Sequence, residues 1–175
     1  DAAILDAIKP TRYLQSDNEQ VIDLARRAVG GTKDAAEAAR KIEAFVAGYI
    51  ENRSLSVGYA SAAEVADSRQ GDCSEFAVLT AAMCRAVGIP AQVVAGVAYV
   101  DDFAGHQGFC GHAWTQAYIG GKWIGLDASF KGAGRGGYDA GHIALAAGNG
   151  EPADLFNMAP TLGQFKIDKV TIEKK

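Results

Sequence analysis

Residues 71–90 read GDCSEFAVLTAAMCRAVGIP and contain the signals of a complete helix, from its cap to its stop. Asp72 and Glu75 have the spacing of a capping box, in which each side chain accepts a hydrogen bond from the other residue's backbone N–H. Apolar residues then recur at helical spacing: Phe76, Leu79, Met83 and Val87. Gly88 stands where a C-terminal cap belongs, and Pro90 prevents continuation. The pattern predicts a helix that begins immediately after its cap.

The first turn of this predicted helix carries a cysteine, Cys73. Backbone N–H groups without partners and the positive end of the helix dipole favour a thiolate over a thiol at such a position. The thiolate is the nucleophilic form of cysteine. Cys84 lies in the middle of the helix beside the apolar stripe, which is typical of core packing. Because a cysteine considered alone is more often buried and inert, a nucleophilic Cys73 needs partners elsewhere in the chain.

A β-hairpin is predicted over residues 112–127, HAWTQAYIGGKWIGLD. Two runs rich in aromatic and β-branched residues, 112–119 and 122–127, flank a Gly120-Gly121 pair. Such a pair is typical of a two-residue turn, because both of its residues need positive φ angles.

The length of this turn determines which side chains share a face of the sheet. A two-residue loop pairs Ile119 with Lys122 and places Trp114 opposite Asp127. His112 is two residues from Trp114 and therefore points to the same face, at a diagonal backbone distance of roughly 7–8 Å from Asp127. A four-residue loop keeps this relation, whereas a three-residue loop turns Asp127 to the opposite face. With the two-residue turn, we expect the two side chains to meet.

Cys73, His112 and Asp127 together supply the three roles that thiol catalysis requires. A cysteine nucleophile needs a base nearby, and the base needs a group that orients its ring. We therefore interpret Cys73 as the nucleophile, His112 as the general base and acid, and Asp127 as the orienting carboxylate. The backbone N–H of Cys73 is the natural first donor to an oxyanion, and Tyr59 is the first candidate for the second.

The order Cys, His, Asp and the sequence around it resemble the transglutaminase-like superfamily, over about residues 35–130. The segments that carry the resemblance are GDCSEFAVLTAAMCRAVGIPAQVVAG (71–96), GHAW (111–114) and WIGLD (123–127). The segment DAGHIAL (139–145) also resembles bacterial members. Ala128 departs from the family pattern, which often has proline after the aspartate.

The resemblance implies an α+β domain with a papain-like transglutaminase core. In it, N-terminal helices and the Cys73 helix pack on an antiparallel sheet that supplies His112 and Asp127. The cysteine of such a domain attacks a carboxamide or peptide carbonyl, and water or an amine resolves the thioester. Analogy with small bacterial members favours hydrolysis over cross-linking. The implied partner is a protein, peptide or amide substrate, and no cofactor is implied.

The sequence leaves two alternative functions open. Residues 69–75, RQGDCSE, faintly resemble the R-G-G-x-C-x-E pattern of arylamine N-acetyltransferases, which use the same order of catalytic residues. Acetyl transfer from coenzyme A to an aromatic amine would identify that activity. The other alternative is a transglutaminase-like domain that serves as a binding module with an unused site. A Cys73→Ala variant that keeps its biological effect would favour the binding module.

Two other residues near the predicted site have competing interpretations. Trp114 is expected to pack beside the three catalytic candidates, with substrate contact as the second interpretation. Cys110 is expected near the substrate cleft, where oxidation would join it to Cys73. A Cys84–Cys110 disulfide is the other pairing that an oxidising compartment would permit, and sequence alone does not test its geometry.

Metal and nucleotide binding are not predicted. His106, Cys110 and His112 lie close together in the sequence, but no C-x-x-C or H-x-x-x-H pair accompanies them. No acidic loop of the EF-hand type indicates calcium. The glycine-rich segment 132–137, GAGRGG, lacks the strand-to-helix context of a dinucleotide site and is interpreted as a flexible loop. His142 is interpreted as structural rather than catalytic.

Length and charge limit the remaining functions. The chain has 175 residues, 49% hydrophobic and 22% charged, which favours one folded domain over residues 1–175. The net charge of −4 argues against a nucleic-acid partner. No apolar run is long enough for a membrane span, and no signal peptide opens the chain. Because the first residue is Asp1, we expect a processed form or an excised domain. The compartment, extracytoplasmic or cytoplasmic, and the oligomeric state stay open.

Helical periodicity, capping residues and glycines divide the rest of the chain into elements. The predicted elements are an irregular lead-in over 1–16, a helix over about 21–28 stopped by Gly30-Gly31, a helix over about 33–52 with Thr32 as its N-cap, irregular chain over 53–60, a short helix over 61–68, a strand over 91–100, a loop over 101–111, a Gly/Ala-rich loop region over 131–163 with an ordered stretch at 142–146, and a final strand over 164–173.

Overall fold

A computed structural model describes residues 2–53, 59–103, 105–156, 161, 164, 166–169 and 171. Its helices and strands follow in chain order as α1 (Ala2–Asp6), α2 (Glu19–Val29), α3 (Ala35–Tyr49), α4 (Ala62–Ser68), α5 (Cys73–Ala86), β1 (Ala91–Phe103), β2 (His106–Ile119), β3 (Lys122–Leu126), α6 (Ala128–Gly132), β4 (His142–Gly148) and α7 (Pro152–Phe156).

The four strands form one antiparallel sheet with the order β3-β2-β1-β4. Ile119 pairs with Lys122 and Thr115 with Leu126, so the β2–β3 turn has two residues. Both turn residues have positive φ angles, 60° at Gly120 and 82° at Gly121, which glycine adopts without strain. The predicted hairpin register is therefore confirmed.

Helix α5 lies at the centre of the fold. Every residue from Glu75 to Arg85 is buried, so the helix is covered on all sides rather than along one stripe. It contacts α2, α3 and α4 as well as β1 and β2. This arrangement confirms the predicted α+β class, with the Cys73 helix packed between other helices and an antiparallel sheet.

The N-terminal third differs from the sequence prediction in two details. The lead-in over 1–16 is not wholly irregular, because Ala2–Asp6 is helical. Helix α3 is capped by Asp34 rather than Thr32: Asp34 accepts a hydrogen bond from the backbone N–H of Glu37 at 2.7 Å. The Thr32 hydroxyl instead donates to the Glu37 carboxylate at 2.8 Å. Residues 54–58 of the predicted irregular segment lie outside the described residues.

The predicted loop over 101–111 is wrong. Strand β1 continues to Phe103, and β2 begins at His106, so these residues form the far end of a long β1–β2 hairpin. Asp101 and Asp102 suggest a loop by residue type. Both are exposed at this end of the hairpin, where a strand can carry charged side chains without burying them.

The described residues of the predicted loop region 131–163 contain more helix and strand than predicted. They include the end of α6, the whole of β4 and helix α7. Strand β4 approaches β1 closely, and a Cβ on Gly96 would overlap the Ile143 carbonyl oxygen and the Trp114 ring. The described part of the predicted final strand, residues 164, 166–169 and 171, contains no strand, and the rest lies outside the described residues.

None of the described helices is both long and apolar enough to cross a lipid bilayer.

Candidate active site

The start of α5 is held by a network of capping hydrogen bonds. Asp72 accepts from the backbone N–H of Ser74 at 3.0 Å, and Glu75 accepts from the backbone N–H of Asp72 at 2.9 Å. The other oxygen of the buried Glu75 carboxylate accepts from the N–H of Ala60 at 3.0 Å. The predicted capping box is therefore confirmed. It fixes the first helical turn and with it the position of Cys73.

The hairpin brings His112 and Asp127 together as its register predicts. His112 Nε2 donates to Asp127 Oδ2 at 2.7 Å, and the two side chains are 7% and 1% exposed. Because Nε2 is used in this bond, Nδ1 is the ring nitrogen that remains available to another group.

Two further hydrogen bonds hold Asp127 in place. Its Oδ1 accepts from the backbone N–H of Phe130 at 2.9 Å, so that Asp127 is also the N-cap of α6. Its own backbone N–H donates to Oε1 of the buried Glu43 at 2.8 Å. Glu43 Oε2 in turn lies 3.1 Å from Lys131 Nζ. Helix α3, through Glu43, therefore helps to fix the carboxylate that contacts His112.

Cys73 and His112 line the same cavity, which has a volume of about 540 Å³. The backbone N–H of Ala113, the residue after His112, lies close enough to the Cys73 thiol to favour its ionised form. The cavity is lined by Arg53, Gly71, Asp72, Cys73, Phe76, Ala98, Val100, Asp102, Cys110, Gly111, His112, Ser129, Phe130, Ala133 and Arg135. The structure thus brings the nucleophile and base candidates to one opening, with Asp127 behind the histidine.

Burial opposes ionisation of the Cys73 thiol at the helix start. Burial raises its pKa to about 12, and the negative charge of Asp72 acts in the same direction. Burial therefore acts against the thiolate that the helix N-terminus is expected to favour. A neighbouring base must accept the thiol proton if Cys73 is to act as a nucleophile.

Asp127, in contrast, is held as a carboxylate. Burial alone would raise its pKa, but hydrogen bonds from His112 and His142 outweigh burial and lower the pKa to about 2. The group can therefore only accept hydrogen bonds at neutral pH.

The lowered pKa of Asp127 predicts a specific loss of stability in acid. A carboxyl whose pKa falls from 3.8 to about 2 on folding contributes about 2 kcal/mol, which is present above about pH 4 and lost as the pH falls towards 2. Between these two pH values, the free energy of unfolding should fall by about that much more in the wild type than in Asp127→Asn. Urea denaturation at a series of fixed pH values measures the free energy of unfolding of both proteins. An equal fall in the two proteins would contradict the lowered pKa of Asp127.

His142 is a residue of this site that the sequence interpretation missed. Its Nε2 lies 3.0 Å from Asp127 Oδ2, the same oxygen that His112 contacts, and its side chain is fully buried. The sequence interpretation described His142 as structural. The bond joins the first residue of β4 to the end of β3, and no local pattern predicts such a contact. The sequence feature that could have indicated a role for His142 is the resemblance of DAGHIAL (139–145) to bacterial transglutaminase-like sequences.

Aromatic rings enclose the His112 imidazole. Phe130 stacks on it with ring centroids 4.3 Å apart and an interplanar angle of 29°. Trp114 lies nearly parallel to it at 6.1 Å. Trp114 is 3% exposed and does not line the cavity, in agreement with packing rather than substrate contact. Cys110, in contrast, does line the cavity.

Tyr59 does not join the site. Its hydroxyl donates to the backbone oxygen of Gly150 at 2.9 Å, and its ring packs edge-on against Tyr13. It is not among the residues that line the cavity. The prediction of Tyr59 as the second oxyanion donor therefore has no support in this arrangement, because the hydroxyl proton is already used elsewhere.

The three cysteines are free thiols. Cys84 belongs to the buried core, whereas Cys110 faces the cavity, so the Cys84–Cys110 disulfide is not formed. Both Cys73 and Cys110 line the cavity, and their joining by oxidation remains a hypothesis. Mass spectrometry of an oxidised sample without any Cys73-linked peptide would reject it.

One group of side chains in the described part of the chain could hold a metal ion: His112, Asp127 and His142. Ligand atoms around a tetrahedral zinc ion are separated by roughly 3.3 Å, given bonds of about 2.0–2.1 Å. Here Asp127 Oδ2 lies 2.7 Å and 3.0 Å from the two ring nitrogens, which are hydrogen-bond distances. We therefore interpret the group as a hydrogen-bond network. The side chain of His106, from the rejected zinc interpretation, lies outside the described part of the structure.

A helix-borne cysteine beside a histidine and an aspartate on an antiparallel sheet agrees with the family comparison. The model of the transglutaminase-like superfamily matches residues 22–128, more than half of the chain. The chain therefore belongs to the transglutaminase-like superfamily, and its family and neighbours support a cysteine-based function. No curated protein matches the sequence.

Solved structures show the same fold. A putative cysteine protease from Cytophaga hutchinsonii is 32% identical, with a TM-score of 0.71 over 88% of this chain and 49% of that one. The periplasmic domain of TgpA from Pseudomonas aeruginosa is 19% identical, with a TM-score of 0.57 over 76% of this chain and 49% of that one. A structure described as a TGase is 16% identical, with a TM-score of 0.53, over 67% of this chain and 32% of that one. The chain spans about half the length, or less, of these structures.

Proposed function

We propose that this chain is a thiol-dependent hydrolase domain that cleaves amide or peptide bonds through a thioester on Cys73. The observation that carries the proposal is the 2.7 Å hydrogen bond from His112 Nε2 to Asp127 Oδ2, with His112 and Cys73 on the wall of one cavity. The bond leaves His112 Nδ1 without a proton, so that it can act as a base.

In the first half of the reaction, the Cys73 sulfur forms a bond to the carbonyl carbon while its proton passes to His112 Nδ1. The C–N bond then breaks, and His112 returns the proton to the leaving nitrogen. In the second half, water attacks the thioester, gives one proton to His112 and displaces the sulfur, which recovers that proton. The products are an amine and a carboxylic acid. Asp127 keeps the imidazole in one tautomer and stabilises its positive charge in both halves.

The developing oxyanion has one evident donor. Cys73 is the first residue of α5, and its backbone N–H has no acceptor among the described residues. Such free N–H groups in the first turn of a helix suit an oxygen that gains negative charge. Because the capping box fixes this turn, the donor is already oriented before the substrate arrives.

Hydrolysis is proposed rather than cross-linking. The 32% identical relative from Cytophaga hutchinsonii is described as a putative cysteine protease, and hydrolysis requires only water as the acceptor. Cross-linking would need an amine to resolve the thioester instead. Adding a primary amine to the assay would distinguish the two, because a cross-linking enzyme would form the substituted amide in preference to the acid.

One observation favours the non-catalytic binding module as a second candidate. Burial raises the pKa of Cys73 to about 12, so a thiol without help from His112 would be inert at neutral pH. The two candidates therefore differ in whether His112 activates the thiol.

Alkylation of Cys73 by iodoacetamide tests this difference. We expect Cys73 in the wild type to react at least as fast as a model thiol at pH 7. A His112→Asn variant should react ~100- to 1000-fold more slowly, because the thiol then keeps its raised pKa without a base. Peptide mapping by mass spectrometry separates Cys73 from Cys110, which serves as an internal reference. Equal and slow alkylation of Cys73 in both proteins would favour the binding module.

A further inference from the structure

We propose that His142 is a positioning residue, which holds the Asp127 carboxylate in the orientation that fixes the tautomer of His112. The inference rests on the proposed function, because it assigns a role within the same site. None of the steps proposed above uses His142, yet its Nε2 lies 3.0 Å from Asp127 Oδ2.

The hydrogen bonds at Asp127 define which ring nitrogens carry protons. Oδ2 contacts Nε2 of both His112 and His142, at 2.7 Å and 3.0 Å. An ionised carboxylate oxygen only accepts hydrogen bonds, so each imidazole must present an N–H at Nε2. Neutral His112 then carries no proton on Nδ1. The second imidazole, together with the Phe130 N–H on Oδ1, leaves the carboxylate one orientation that satisfies all three donors.

The surroundings of His142 suit a fixed donor. Its side chain is fully buried against the rings of Trp114, Phe130 and Tyr138, with centroids 5.1, 5.1 and 4.7 Å from its own. A buried ring of this kind cannot rotate without displacing its neighbours. The packing therefore determines the direction of the Nε2–H bond.

Asp139 supplies partners for either charge state of His142. Its backbone N–H lies 3.2 Å from Nδ1 and suits the neutral ring, whereas its Oδ1 lies 3.0 Å from Nδ1 and suits the protonated ring. The titratable groups that face His142 are Asp127, Asp139, His112 and Tyr138. Burial lowers the pKa of His142, but its bonds and charge interactions with Asp127 and Asp139 outweigh burial and raise it.

Protonation of His142 has a consequence for the reaction. A positive charge on His142 neutralises part of the Asp127 charge that stabilises the His112 imidazolium. Transfer of the Cys73 proton to His112 then becomes less favourable. Activity should therefore fall in acid as His142 gains its proton.

A purely structural role is the alternative. His142 is the first residue of β4 and pairs with Ala98 of β1, so its bond to Asp127 also ties the sheet edge to the end of β3. A structural role predicts reduced stability in any variant. It does not predict a change in the His112 tautomer or recovery by a side chain that only restores the donor.

Two substitutions at position 142 separate these roles. His142→Gln can place an N–H donor near the position of Nε2 without a titratable group, whereas His142→Leu has similar bulk and no donor. In His142→Leu, we expect His112-dependent alkylation of Cys73 at pH 7 to fall about 10- to 100-fold, as for a lost buried hydrogen bond to a charged group. His142→Gln should remain within about threefold of the wild type, and its rate–pH profile should lose one ionisation on the acid side.

Nitrogen-15 NMR of the imidazoles in a Cys73→Ala background gives a readout that does not depend on reactivity. We expect one Nε2–H tautomer of His112 in that protein and a mixture of tautomers when His142→Leu is added. The proposal is overturned if His142→Leu keeps wild-type alkylation and a single tautomer, or if His142→Gln is as impaired as His142→Leu. If wild-type alkylation does not depend on His112, the proposed function fails, while the NMR result still tests the role of His142.

A variant at an exposed position keeps the proposal testable if His142→Leu does not fold. Asp139→Asn removes the carboxylate that pairs with protonated His142, and the Asp139 side chain is 59% exposed. The pKa of His142 should fall, so the acid limb of the alkylation profile should move to lower pH. An acid limb in the same place as that of the wild type would contradict the coupling between His142 and the Cys73–His112 pair.

Discussion

The Cys73→Ala variant is expected to lose at least about 10,000-fold of its amide or peptide hydrolysis while remaining folded, because removal of a nucleophile leaves only binding and oxyanion stabilisation. Cys73 is at the first position of α5 and is partly exposed, so alanine fits there without leaving a large cavity. A panel of peptide and amide substrates, followed by mass spectrometry of the products, measures the loss. Circular dichroism and thermal unfolding check the fold.

Cys84→Ala is the matched control for this variant. Cys84 lies on the same helix, but it is wholly buried in the core and does not line the cavity. The substitution should lower stability by about 1–2 kcal/mol, as for a small group lost from the core, and leave turnover at 25 °C near that of the wild type. Hydrolysis that survives in Cys73→Ala would contradict the proposed nucleophile, whereas a wild type that hydrolyses none of the substrates would favour the binding module.

The Asp127→Asn variant has the second largest expected effect, a loss of roughly 1,000- to 10,000-fold in turnover. Asp127 Oδ2 accepts hydrogen bonds from both His112 and His142. An asparagine amide nitrogen in that place would donate, so the nearby imidazoles would have to expose a bare Nε2. His112 would then carry its proton on Nδ1 and could not accept one from Cys73.

The fold should tolerate this change because asparagine keeps the capping role. Its oxygen can still accept from the Phe130 N–H, and asparagine is as good an N-cap residue as aspartate. Asp34→Asn provides the control, since Asp34 caps α3 in the same way and lies outside the cavity. Initial rates of hydrolysis, measured for both variants, should show a loss of turnover in Asp127→Asn alone. Turnover above about a tenth of the wild-type value in Asp127→Asn would exclude the tautomer argument.

Short-range rules carried most of the correct predictions. The capping box at Asp72 and Glu75 spans only four residues, so the start of α5 can be predicted from the sequence. The Gly120-Gly121 turn sets the register of β2 and β3 by simple parity. That register brings His112 to Asp127, as the parity of the turn predicts.

Contacts between distant elements could not be predicted in this way. Glu43 in α3 holds the backbone of Asp127, but in the sequence it is an ordinary charged residue of a helix. His142 reaches the same residue from β4, within a region that glycine and alanine content made to resemble a loop. Both contacts depend on how helix α3 and strand β4 pack against the end of β3. The periodicity of nearby residues does not predict such packing.

The ionisation of Cys73 also depends on packing that the sequence does not show. The helix N-terminus is visible in the sequence, and its effect on a thiol is known in direction. Burial of the sulfur and the charge of Asp72 act in the opposite direction and raise the pKa to about 12. How deeply a first-turn residue is buried depends on the sheet that covers it. In the proposed mechanism, His112 therefore deprotonates a neutral thiol rather than meeting a resting thiolate.

The acyl-enzyme on Cys73 can be trapped and located. The wild type is mixed with p-nitrophenyl acetate, which supplies an activated acyl group without any knowledge of the natural substrate, and is quenched in acid within seconds. Peptide mapping then locates the acetyl group. We expect a thioester on Cys73 that is absent in His112→Asn. No adduct, or an adduct on Cys110 alone, would contradict the proposed nucleophile.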